Sequence, residues 1–233
     1  MRTAEARQPT SSTRSSVVWI TGVAGGAGFA LLAILVGARH GALLPGDHAT
    51  HVWALTHRPR GALTAARWIT ATGTGVWPYA MALAAGILAV RDRRQRLYAA
   101  GGALAFLALG QVLRTGLMQV IGRARPPTGD WATHASRFAF PSGHTTTSAM
   151  AAGLLAWAVL RRCRPAAARV AVALLACWAV LVGCTRIYLG VHWLTDVLAG
   201  WLLAAAWISL GTAVSAVYLP RRPADGTSPG GGS

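Results

Sequence analysis

Six stretches of this chain carry no charged side chain and approach or exceed bilayer thickness as helices. They occupy residues 17–38, 68–90, 97–113, 145–160, 170–185 and 197–220. An α-helix rises about 1.5 Å per residue, so roughly 20 residues cross a hydrocarbon core of about 30 Å. The first, second and last runs, of 22, 23 and 24 residues, meet that length outright. The other three, of 17, 16 and 16 residues, each abut a polar stretch. A helix bordering a water-accessible pocket can carry polar groups at one end, because that backbone faces protein rather than lipid. The expected fold is all-α: a six-transmembrane-helix bundle over residues 17–220, flanked by disordered cytoplasmic tails at 1–16 and 221–233. The first run also exceeds the roughly 7–15 apolar residues of a cleaved leader.

Charge refines this reading. All 22 basic residues are arginine, set against six acids, for a net charge of +16. A nucleic-acid binder gathers its cations on one solvated face, whereas these arginines punctuate apolar runs, so no nucleic-acid partner is expected. Thirteen arginines fall in the two tails and the turns at 91–96 and 161–169, and eight in the loops between. By the positive-inside rule both termini are cytoplasmic, in a multi-pass plasma-membrane protein whose loops 39–67, 122–143 and 186–193 face outward. Residues 43–56 mix apolar and polar side chains around Trp53, which predicts an interfacial helix between spans 1 and 2. Cys163, Cys177 and Cys184 have neither zinc-site spacing nor a disulfide setting and read as small buried hydrophobes. Arg58, Arg60 and Arg137 read as interfacial snorkelling side chains.

Ionisable groups at membrane depth need a reason. Asp196 follows His192 by four residues, which puts both on one helical face within hydrogen-bond reach. A carboxylate that accepts from one imidazole nitrogen leaves the other basic and nucleophilic, although the same pair also serves to join helices. Arg186 ends the fifth run, and Arg123 and Arg125 lie in the 122–143 loop. That loop runs into Pro141-Ser142-Gly143-His144, where a hydroxyl and open backbone N–H groups at a helix start form an anion cradle. Arginines, helix-end amides and two histidines on one membrane face describe a phosphate site.

These segments together resemble the signature of the type 2 phosphatidic acid phosphatase superfamily, integral lipid phosphate phosphatases related to vanadium haloperoxidases. Its first motif is Lys, six residues, Arg-Pro, matched by Arg125-Pro126; its second is Pro-Ser-Gly-His, matched by residues 141–144. Its third, Ser-Arg, five residues, His, three residues, Asp, is matched by Thr185, Arg186, His192 and Asp196. The resemblance extends over most of the chain. Thr185 keeps the hydroxyl of the family's serine. Met118 stands where the first motif has lysine, and a thioether cannot neutralise phosphate. Arg114, one helical turn earlier on the same face, or Arg123 is the expected replacement.

The resemblance implies a phosphatase in which His192 attacks phosphorus to give a phosphohistidine and Asp196 orients its ring. His144 protonates the leaving oxygen and then activates water. Arg125, Arg186, Ser142 and the Gly143 amide would hold the equatorial oxygens. Neither a metal nor another cofactor is expected, since magnesium usually wants several carboxylates. The partner is a lipid phosphate within the bilayer: a polyprenyl diphosphate, phosphatidic acid or phosphatidylglycerol phosphate. The alternatives are a catalytically degenerate homologue and a six-span transporter with an Asp–His proton relay. Transport would need ionisable groups strung through the membrane depth, and here they crowd one face.

Overall fold

The computed structural model describes residues 11–218. Eight α-helices follow one another: α1 Ser11–Ala38, α2 Asp47–Thr56, α3 Arg60–Ala71, α4 Val76–Ala89, α5 Arg93–Ile121, α6 Gly143–Arg162, α7 Pro165–Tyr188 and α8 Leu194–Tyr218. A 3-10 turn, Thr128–Asp130, lies between α5 and α6, and no strand occurs among the described residues. α1 starts six residues before the expected boundary at 17, while residues 1–10 and 219–233, which hold the rest of the expected tails, lie outside the described residues.

Four helices are long and apolar enough to cross a membrane, over Ser16–Ala38, Arg93–Ile121, Pro165–Tyr188 and Leu194–Ser215. By this measure the described helices do not reach the expected six. α6 has 20 residues but starts with a polar turn of His144 and three threonines, and α4 has only 14.

The largest departure is at 68–90, which is not one helix. The chain leaves α3 after Ala71 and restarts at Val76. Gly75, at φ 68 and ψ −138, adopts a conformation closed to most side chains. Pro78, without an N–H, fits the first turn of α4. The region between spans 1 and 2 therefore holds two short helices. In α2, Asp47, His51 and Ala54 face inward and Trp53 faces out.

α6 sits at the centre, packed against α4, α5, α7 and α8, with α1 lying along α8 and α3 along α7. The packing relies on small side chains: Ala82, Ala85, Ala151, Ala158, Ala199 and Ala204 are all buried. Such residues let helix backbones approach closely where lipid offers no hydrophobic drive for association. Large apolar groups such as Trp19, Ile20, Trp68, Leu113 and Val170 instead cover the outside. The three cysteines are likewise exposed, not buried as expected. In a membrane bundle, periphery and core are both apolar, so apolarity alone does not locate a side chain.

The ends of α5 and α7 aim the polar loops. Asp92 caps α5, accepting from the Arg94 and Gln95 amides at 3.0 Å each. Gly122, at φ 63, closes α5 with a left-handed turn whose N–H reaches Met118 O, which sends Arg123 and Arg125 into separate environments. Gly190, at φ 73, turns the chain after α7; a Cβ there would lie 2.5 Å from Asp130 O. A stacked pair, Phe29 on Phe140 at 5.9 Å between centroids, ties α1 to the loop entering α6.

Candidate active site

His192 lies in the five-residue link between α7 and α8 and is 1% exposed. Its Nδ1 is 3.3 Å from Asp196 Oδ2, and its Nε2 is 2.9 Å from Arg125 Nη1. A guanidinium only donates, so Nε2 accepts, and the ring proton belongs on Nδ1 facing the carboxylate. That tautomer leaves a lone pair on Nε2 at the cavity wall. Asp196 is held in turn by the Trp193 amide, which donates to Oδ2 at 2.8 Å, in the first turn of α8 where a carboxylate suits the helix dipole.

Burial, and then the charges of Arg125 and Arg186, hold the His192 imidazolium well below its ordinary 6.5. The neutral, nucleophilic ring is therefore favoured. The unfolded chain takes up a proton near pH 6.5 that the folded ring refuses, so this group's contribution to stability is present above that pH and lost below it. In a titration of the 15N-labelled imidazole, the ligand-free His192 signal is expected to stay neutral at pH 6; protonation there would contradict the geometry.

Arg125 is anchored by carbonyls. Nη1 donates to Val191 O at 2.7 Å and Nη2 to Ser136 O at 2.9 Å. Burial lowers its pKa to about 10, with Asp196 opposing and Arg114 adding to the shift, so it stays charged at neutral pH. Arg186, 2% exposed in the last turn of α7, donates from Nη1 to Thr70 Oγ1 at 2.9 Å. His144, second in α6, has Nε2 3.3 Å from Thr74 Oγ1. Thr70 comes from the last turn of α3, and Thr74 from the break between α3 and α4.

Arg114 donates from Nη1 to Met118 Sδ at 3.2 Å, and its buried Nε has no partner. A Cβ on Gly143 would lie 3.1–3.2 Å from the Arg114 guanidinium, so glycine is what admits the arginine beside the start of α6. These groups enclose a cavity of about 360 Å³ whose wall includes Arg114, Arg125, Arg186, Gly143, His144 and His192. Ser142 is fully buried, with Oγ accepting from Thr145 Oγ1 at 2.9 Å, and it does not line the cavity. Thr185 spends its hydroxyl on Val182 O.

Arg123 corrects an expectation. It does not replace the absent lysine, because its guanidinium is fully buried between two carboxylates: Nη2 to Asp47 Oδ2 at 2.6 Å and Nη1 to Asp196 Oδ1 at 2.7 Å. It also donates to Thr195 Oγ1 and to the carbonyls of Gly41 and Ala42. Asp47 in addition accepts from the Thr195 amide and hydroxyl. The start of α2 is thereby locked to the first turn of α8 and to the carboxylate that orients His192.

Arg58 is also not the solvent-reaching side chain expected. Arg58 donates to Asp130 O at 2.7 Å, while Asp130 Oδ2 lies 2.9 Å from His51 Nε2. Arg137 lines the cavity together with His134 and Ser136. Sequence reasoning missed Asp47, Thr70, Thr74, His134 and Arg137 as site-forming residues. The hydroxyl cluster Thr70, Thr72 and Thr74 within an otherwise apolar run was the available signal for the first break.

Among the described residues, no group of three or more His, Cys, Asp or Glu side chains is arranged to hold a metal ion. The assembly is a helical membrane-type bundle with a buried histidine facing an arginine-lined cavity. Residues 99–218 match the family model of the PAP2 superfamily, and the chain belongs to that superfamily. Lipid A 1-phosphatase of Rhizobium johnstonii is 36% identical over 136 residues, covering 53% of this chain and 52% of that protein. Phosphatidylglycerophosphatase B of Bacillus subtilis is 36% identical over 108 residues, 44% of this chain and 52% of that one. Decaprenylphosphoryl-5-phosphoribose phosphatase of Mycolicibacterium smegmatis is 36% identical over 150 residues, 63% and 75% respectively. The chain thus spans about half the length of the first two relatives. A crystal structure of a transmembrane PAP2-type phosphatidylglycerolphosphate phosphatase from Bacillus subtilis shares the fold, with TM-score 0.71 and 24% identity over 87% of this chain and 99% of that one.

Proposed function

We propose that this protein is a membrane phosphatase that hydrolyses a lipid phosphate or diphosphate through a phosphohistidine. The observation that carries the reading is His192, buried on Asp196 with Nε2 directed to a cavity that also holds His144 and four arginines. Nε2 forms the P–N bond as the P–O bond to the lipid breaks, and His144 gives its proton to the leaving oxygen. His144 then accepts a proton from the water that cleaves P–N and releases phosphate. Arg114, Arg125, Arg186 and the Gly143 amide hold the equatorial oxygens, where transition-state charge is spread.

Six membrane crossings, by α1 and α4 to α8, with both termini cytoplasmic and the site at the outer face, accord with the arginine distribution. An open groove lined by Tyr79, Ala108, Val112 and Gly116 shares Gln111 and Thr115 with the cavity, which suits a substrate whose chains stay in the bilayer. Phosphate release from a panel of lipid phosphates by the purified protein, with His192→Ala alongside, tests the reading.

Arginine supplies the positive charge that metals supply elsewhere, so turnover is expected to persist in EDTA; loss on chelation with rescue by magnesium would reverse that assignment. Arg114 takes the place of the absent lysine. Arg114→Ala is expected to weaken phosphate binding about ten- to a hundredfold, and Met118→Lys in that background to restore much of it. Unchanged affinity in the single variant would remove Arg114 from the site.

A further inference from the structure

We propose that the substrate carries two phosphate groups, and that Arg137 with His134 forms the subsite for the one that is not hydrolysed. This rests on the phosphatase reading above and narrows its substrate.

Four arginines line the cavity and no carboxylate does. A transferring phosphoryl group has three equatorial oxygens, and Arg114, Arg125 and Arg186 are enough to engage them. Arg137 and His134 are left over. Both are exposed at the cavity wall, and neither side chain has a hydrogen-bond or ion-pair partner among the described residues. A phosphate monoester brings about −1.5 to −2 near neutral pH, fewer charges than the four arginines oppose to it. A second phosphate supplies the balance.

The subsite is also held at a set position relative to the reacting centre. Arg137 adopts φ 59, a left-handed conformation uncommon for a residue with a side chain. The Ser136 and Arg137 carbonyls both accept from Arg125, at 2.9 Å and 3.2 Å. One segment therefore anchors Arg125, which touches His192, and presents Arg137 to the cavity. In turnover the P–O bond at the scissile phosphorus breaks, His144 protonates the leaving oxygen, and the second phosphate leaves with the lipid. A lipid diphosphate and a headgroup with two separated phosphates both present this chemistry.

The test is binding, independent of turnover, of three phosphonates that cannot be hydrolysed. Calorimetry at fixed ionic strength on the purified full chain compares methylphosphonate with methylenebisphosphonate, whose two groups are adjacent, and propane-1,3-bisphosphonate, whose groups are spaced. At least one bisphosphonate is expected to bind about tenfold tighter than methylphosphonate or better, and which one does so distinguishes the two substrate types. His134→Ala with Arg137→Asn, an asparagine being tolerated at that φ, should erase the gain and leave methylphosphonate binding within about threefold. Equal affinity for all three ligands, or an equal loss for all three in the variant, overturns the proposal. Failure of the phosphatase reading would appear elsewhere, as equal phosphate release by wild type and His192→Ala.

Discussion

His192→Ala is expected to lower turnover by about four orders of magnitude or more, the scale seen when a nucleophile is removed from a catalytic unit. The wild-type protein, quenched during turnover, should carry acid-labile phosphate; the variant should carry none. His144→Ala should cost about a hundred- to ten-thousandfold, the range of a lost general acid–base. His192 is fully buried and bonded to Asp196 and Arg125, so thermal unfolding of both variants is measured alongside to separate lost chemistry from lost packing. Acid-labile phosphate surviving in His192→Ala would transfer the nucleophile's role to another residue.

Arg123→Leu is expected to have the largest effect on stability. Its guanidinium and both partner carboxylates have no exposed surface. Two carboxylates left without their cation in a buried site cost about 3–5 kcal/mol. For a chain of this size that corresponds to a fall in Tm on the order of 10 °C. Arg114→Ala, by contrast, removes a side chain that pairs with no carboxylate and donates to one thioether, and its effect should fall on phosphate affinity. A Tm for Arg123→Leu equal to wild type would show that the Asp47–Arg123–Asp196 chain does not hold the first turn of α8. Comparable losses of phosphate affinity for Arg123→Leu and Arg114→Ala, without unfolding, would return Arg123 to the binding site.

Legibility differed by residue. His192 and Asp196 were readable because they are four apart, a spacing that a helical turn converts directly into proximity. Gly143 and His144 were readable because a helix start fixes where amides and side chains point. Arg125 and Arg123, two residues apart in one loop, were not separable by sequence: side-chain direction in an irregular segment depends on what it packs against. The left-handed turn at Gly122 and the buried carboxylate of Asp47, 76 residues away from Arg123, decide that Arg123 faces inward. The helix break at 72–75 was hidden because a count of uncharged residues does not register glycine conformation.

From sequence alone came the membrane character, the all-helical class, the histidine–aspartate pair and the arginine count, since each depends on composition or on spacing along one helix. Tertiary structure decided the partners: which arginine meets a carboxylate, which lines the cavity, and that Thr70 and Thr74 reach Arg186 and His144. Those contacts join residues 70 to 116 positions apart, and long-range pairing is set by how whole helices pack, which no local periodicity records.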